Sequence, residues 1–197
     1  DTTFRDADGE DGLPVVTADD IEDERQSGMS EELVQQEYYC SFEGAMEGAY
    51  YAGAMAQAEV EGRVGDCPYD PNFPVDTAWD LGMDDETAIW FTQTVGPNRC
   101  HVIDYLEDRG HGLDWYAEAL RKKPYSYGRH FGPHDLKVRD FSTGNTRVQA
   151  AQRLGLHFEV MPKMAVEDGI DSVRRLLPVC VFDKERCADG LDALKSY

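Results

Sequence analysis

Three prolines within eight residues, in Cys67-Pro68-Tyr69-Asp70-Pro71-Asn72-Phe73-Pro74, set the first limit on what this chain can build. Proline fixes φ and has no N–H to donate, so neither a helix nor a central strand can run through the segment. The chain is therefore read as two pieces, and they are unlike. Residues 1–70 carry 19 acidic and 3 basic side chains, whereas residues 71–197 carry 20 and 16. A formal net charge of −20 taken whole argues against a nucleic-acid partner, because phosphate contacts need Lys and Arg. Taken by piece the objection weakens, since residues 71–197 hold a net of only −4.

With 41% hydrophobic and 11% aromatic residues the chain can bury a core, which excludes wholesale disorder. No stretch approaches the roughly 20 apolar residues of a membrane helix, and no basic-then-apolar leader opens the chain. The expectation is a protein without a membrane, not exported. The five cysteines, Cys40, Cys67, Cys100, Cys180 and Cys187, are scattered with no CxxC pair, so free thiols are expected and a zinc site is not.

The division expected is 1–70 as an acidic linker and 71–197 as the main domain. In the first piece Thr17 reads as an N-cap of a short helix, Glu37–Phe42 as a strand and Met46–Val60 as a helix. This piece has too few large apolar residues to stand alone and must pack on something else. In the second piece, 76–80, 87–95 and 100–106 are β-rich runs separated by turns, a predicted meander. Leu113, Trp115, Tyr116, Ala119 and Leu120 give a helical stripe ended by Pro124. An extended run at 127–133, a helix at 145–154 capped by Ser142 or Asn145, a strand at 156–161 and a helix at 166–177 follow. Then come a short apolar run at 179–182 and a last helix from about Lys184. The fold class expected is α/β, a mixed sheet with helices on its faces.

Most carboxylates read as solvated helix-face or cap residues. Asp80, Asp135 and Asp192 differ, because two sit at predicted strand ends and one lies between apolar residues on the last helix. Strand-end aspartate is also a common turn former, so each alone is explained structurally. Together they offer all-oxygen ligands suited to Mg²⁺ or Mn²⁺.

The run Pro74-Val-Asp-Thr-Ala-Trp-Asp80-Leu-Gly-Met-Asp-Asp-Glu-Thr87, the motif Gly132-Pro-His134-Asp135 and the closing Asp189-Gly-Leu-Asp192-Ala-Leu-Lys-Ser-Tyr197 resemble the nuclease domain of the large terminase subunit of tailed bacteriophages. Val16–Asp20 and Gln36-Glu37-Tyr38 resemble the segment that joins the terminase ATPase to its nuclease. The resemblance implies a ribonuclease-H-like fold and cleavage of concatemeric double-stranded viral DNA during genome packaging by two-metal hydrolysis. It implies Asp80, Asp135 and Asp192 as catalytic ligands of two Mg²⁺ or Mn²⁺ ions, with Asp189 a further ligand and His134 beside them. Lys137, Arg139 and Arg147 would contact DNA. It also implies an N-terminal ATPase domain in the full-length protein, portal protein and small terminase subunit as partners, and the host bacterial cytoplasm as the setting. No GxxxxGK[ST] is present, so the chain has no P-loop of its own.

Two other readings stay open at this level. One is a different ribonuclease-H-like nuclease of resolvase or transposase type. The other is a non-catalytic module that docks the portal or small subunit through its acidic face. No GxGxxG follows the first strand, which argues against a Rossmann nucleotide binder.

Overall fold

The computed structural model describes residues 49–82, 86–138 and 146–197. The expectations at Thr17 and Glu37–Phe42 lie outside those residues. Tyr50–Lys195 and Tyr197 form one compact unit. Its elements, labelled in chain order, are α1 (Ala52–Val60), β1 (Val64–Gly65), β2 (Val75–Asp80), β3 (Thr87–Gly96), β4 (Arg99–Asp108), α2 (Leu113–Lys122), β5 (Tyr127–Gly132), α3 (Arg147–Arg153), β6 (Phe158–Val160), α4 (Val166–Leu176), β7 (Cys180–Asp183) and α5 (Ala188–Ser196).

The strands form one mixed sheet in the order β1-β7-β4-β3-β2-β5-β6. The predicted meander is its centre, with β2–β3 and β3–β4 antiparallel. β5 then pairs parallel to β2 and β6 parallel to β5, while β7 pairs parallel to β4 and β1 parallel to β7.

Period-two alternation splits each central strand between two faces. In β2, Val75, Thr77 and Trp79 are buried while Asp76, Ala78 and Asp80 are not. The first set joins Ile89, Phe91 and Ile103 under Tyr116, Ala117 and Leu120 of α2 and Ala151 of α3. The predicted stripe on α2 is shifted: Trp115 is 37% exposed and stacks on His111, and Ala117 takes the buried place instead of Ala119. On the other face Val102, Cys180 and Phe182 pack beneath Tyr51, just ahead of α1, Met55 of α1, Ile170 of α4 and Leu191 of α5. These helices roof β7, β4 and β3, so Ala78 and Asp80 of β2 stay exposed beside the roof.

The compact unit begins at Tyr50, seventeen residues ahead of the proline segment at which the sequence divides. Tyr51 and, from α1, Met55 enter the second core cluster, and β1 extends the sheet past β7. Residues 50–70 thus find the packing partner that their composition demanded. Two further boundaries move for local reasons. The last helix starts at Ala188, because the buried Asp183 carboxylate accepts the Glu185 and Arg186 N–H groups at 3.1 and 2.9 Å and holds a turn there. Helix α3 is capped by Thr146, whose hydroxyl accepts from the Gln149 N–H while the Gln149 side chain accepts from the Thr146 N–H.

Candidate active site

Because β2 and β5 are adjacent and parallel, their carboxyl ends leave the sheet at the same end. Asp80 is the last residue of β2. Asp135 lies three residues beyond β5, in a single 3-10 turn, His134–Lys137, anchored by the fully buried Leu136. Two aspartates far apart in sequence are therefore carried by neighbouring strands to one end of the sheet.

Asp135 is the better defined of the two. Its Oδ2 lies 3.9 Å from Nη1 of Arg147, the first residue of α3. Its Oδ1 is buried with no hydrogen-bond partner among the described residues. A buried carboxylate oxygen without a donor is costly, and a cation removes that cost. Arg147 also lines a cavity of about 450 Å³ with Leu81, Gly82, Thr87 and His111, on the α2–α3 side of the same end.

Asp80 belongs to a row that runs across three strands. It pairs with Ala88 of β3, and Ala88 pairs with Glu107 of β4, so all three side chains share one face. Two strand spacings put Asp80 and Glu107 about 10 Å apart, with only a methyl group between them. The next row inward is Ala78, Trp90 and Tyr105, and helix α5 seats on it.

That seat explains the glycine in Asp189-Gly-Leu-Asp192. A Cβ at Gly190 would lie 2.5 Å from Trp90 Cη2 and 2.8 Å from Tyr105 Cδ2, so only hydrogen lets the helix come this close. Leu191 is buried, while Asp189 and Asp192, three apart on α5, are exposed. Tyr105 senses the surrounding charge. Burial holds its phenol well above the ordinary range, helped by its bond to Glu107 and by the charges of Glu107, Asp189 and Glu86. From the sequence Glu86 reads as a solvent-facing turn residue after the first strand, and Glu107 is not singled out. The signal for Glu107 was strand alternation, which puts it on the face of Tyr105.

Among the other expected site residues, His134 and Lys137 are exposed at the two ends of the 3-10 turn. Arg139 lies outside the described residues. The donor chemistry at this end suits a hard divalent cation: carboxylate oxygens, one without a hydrogen-bond partner among the described residues. Among the described residues, no three His, Cys, Asp or Glu side chains gather closely enough to enclose an ion.

No protein-family model matches the sequence, and no curated protein is similar enough in sequence to match it. Solved structures do match in fold. A large terminase from the thermophilic bacteriophage D6E is 14% identical, with a TM-score of 0.57, over 93% of this chain and 45% of that one. The P22 large terminase nuclease domain is 16% identical, with a TM-score of 0.51, over 70% of this chain and 75% of that one. The chain thus spans under half the length of the D6E protein. The fold is that of large-terminase nuclease domains, the ribonuclease-H-like mixed sheet flanked by helices that the sequence led one to expect. Among the described residues, no helix is long and apolar enough to cross a membrane.

Proposed function

We propose that this chain is a metal-dependent nuclease that cuts double-stranded viral DNA during genome packaging. The observation that carries the reading is the pair of aspartates at the carboxyl ends of two adjacent parallel strands, Asp80 and Asp135, on a fold shared with the P22 large terminase nuclease domain. In this reading Asp80, Asp135 and Asp192 ligate Mg²⁺ or Mn²⁺, with Asp189 assisting from the same face of α5. Two such ions, when bound, supply an activated water and stabilise the leaving 3′-oxygen of the phosphodiester. The chain's own work is to hold these oxygens on rigid elements: Asp80 by the β2–β3 ladder, Asp135 by the Leu136 anchor, and Asp189 and Asp192 by the Gly190 contact.

Lys137 and Arg147 flank Asp135 and, with Arg139, would grip the phosphate backbone. His134 would orient Asp135 or a phosphate beside it. The D6E likeness supports a longer native protein, in which an ATPase domain precedes this one and the small terminase subunit and portal are partners in the host cytoplasm.

Plasmid nicking with Mn²⁺ or Mg²⁺ tests the proposal. Wild type should relax supercoiled DNA and EDTA should stop it, while Asp80→Ala and Asp192→Ala should lower the rate at least 100-fold with an unchanged melting temperature. Either variant nicking at the wild-type rate would show that these aspartates are not the ligands. No cleavage by wild type in either metal would favour a docking module instead.

A further inference from the structure

A second cavity, of about 500 Å³, opens near the other end of the sheet and has no place in the chemistry above. Its floor is Asp104 of β4, only 6% exposed. Lys123 Nζ donates to Asp104 Oδ2 at 2.5 Å and Tyr125 Oη donates to the same oxygen at 2.8 Å. The Asp104 charge is therefore already answered from within the protein.

Around this neutralised floor stand Lys122, Arg186 and Tyr69. Tyr69 Oη accepts the Ser126 N–H at 3.1 Å, and its own proton has no acceptor among the described residues. Lys122 and Arg186 are exposed and make no ion pair among the described residues. Neighbouring Lys123 and Arg121, by contrast, are paired with Asp104 and Glu118. What distinguishes Lys122 and Arg186 is that they share one cavity with a phenol donor, in a chain with 39 acidic and 19 basic side chains.

We propose that this cavity binds a phosphate group. Three donors, one of them a guanidinium, suit the several oxygens of a phosphate, and Asp104 cannot repel it while Lys123 and Tyr125 hold its charge. The site is separate from the aspartates. Val75 at the start of β2 donates to the Ser126 carbonyl beside this cavity, whereas Asp80 ends the strand, about 17 Å away. Its phosphate comes from flanking DNA backbone or from a free phosphate or nucleotide. The DNA source rests on the nuclease reading above; the cavity does not.

The test uses the 197-residue chain in EDTA, so that no cleavage intervenes. Duplex binding is followed by fluorescence anisotropy from 50 to 200 mM salt, and backbone amides of residues 122–126 are followed by NMR during titration with inorganic phosphate. A backbone source predicts that Lys122→Ala/Arg186→Ala weakens duplex binding about 10-fold at the lowest salt and flattens the log K against log salt slope by about 2. A free-phosphate source predicts amide shifts in wild type that the double variant loses, with duplex affinity unchanged. Both residues are exposed, so the fold should survive, and Arg186→Ala alone should give a smaller loss of the same kind. If duplex affinity, salt slope and phosphate shifts are all the same in wild type and variant, the proposal is wrong. Plasmid nicking is read separately, so a failed nuclease assignment leaves this result intact.

Discussion

His130 shows how one buried polar residue is accommodated and what that costs. Thr77 Oγ1 accepts from Trp79 Nε1 at 2.7 Å and shares a hydrogen bond of 2.7 Å with His130 Nδ1. Burial lowers the His130 pKa, His157 adds to the effect, and Asp76 opposes it. The sign follows. Once the pH drops below the unfolded value of about 6.5, the unfolded chain takes up a proton that the folded one refuses, and stability falls until the folded pKa is reached. His101, also depressed by burial, acts in the same direction. The urea midpoint should therefore decline between pH 7 and pH 5.5, and His130→Gln should flatten that decline. An unchanged slope in the variant would mean that His130 titrates normally. The sequence offered His130 only as one histidine in an extended run; its burial between β2 and the β6 side was not visible there.

At the scale of elements, helix α5 depends on a close approach that its own sequence announces. Alanine is a better helix former than glycine by about 1 kcal/mol, so on propensity alone Gly190→Ala would stabilise. Against that stands the contact with Trp90 and Tyr105, whose ring centroids are 4.5 Å apart and leave neither ring room to retreat. Overpacking a site of this kind costs about 1–3 kcal/mol. The contact should win: Gly190→Ala should lower stability, and by lifting Asp189 and Asp192 from the sheet it should slow nicking by more than it changes DNA binding. A stabilised, fully active variant would contradict this seating.

Helix α2 and the β2–β4 meander were legible because their periods are local: apolar spacing near 3.6 in one and alternation between turns in the other. β1, two residues long, and the place of β7 between β1 and β4 were not. Cys100 and Cys180 face each other across β4 and β7 as register partners, eighty positions apart, and no local pattern encodes such a pairing. Both are free thiols, as are Cys67 and Cys187.

For the molecule as a whole, the proline segment is not the edge of the folded unit. It is a connection inside it, since Gln93, buried on β3, accepts the Asp70 N–H at 2.9 Å and donates to the Asp70 and Phe73 carbonyls at 2.8 and 2.7 Å. Residues before it should then contribute to global stability. Met55 of α1 is fully buried, and Met55→Ala should cost about 2–5 kcal/mol by urea unfolding. A loss under about 1 kcal/mol, ordinary for a surface substitution, would put α1 outside the cooperative unit.

The sequence by itself determined the layering, most helix and strand identities, the glycine at the α5 contact and which aspartates deserved comparison. These are matters of period, turn chemistry and residue type, which act over a few positions. Only the tertiary structure decided that residues 50–70 belong to the same compact unit as the sheet, that Glu107 shares a row with Asp80, and that Lys122 and Arg186 meet at one cavity. Those facts depend on strand order and register, fixed by burial over distances that no short stretch of sequence records. The three prolines keep their local meaning, since neither helix nor strand passes through them. What they punctuate is a turn clamped to the core by Gln93.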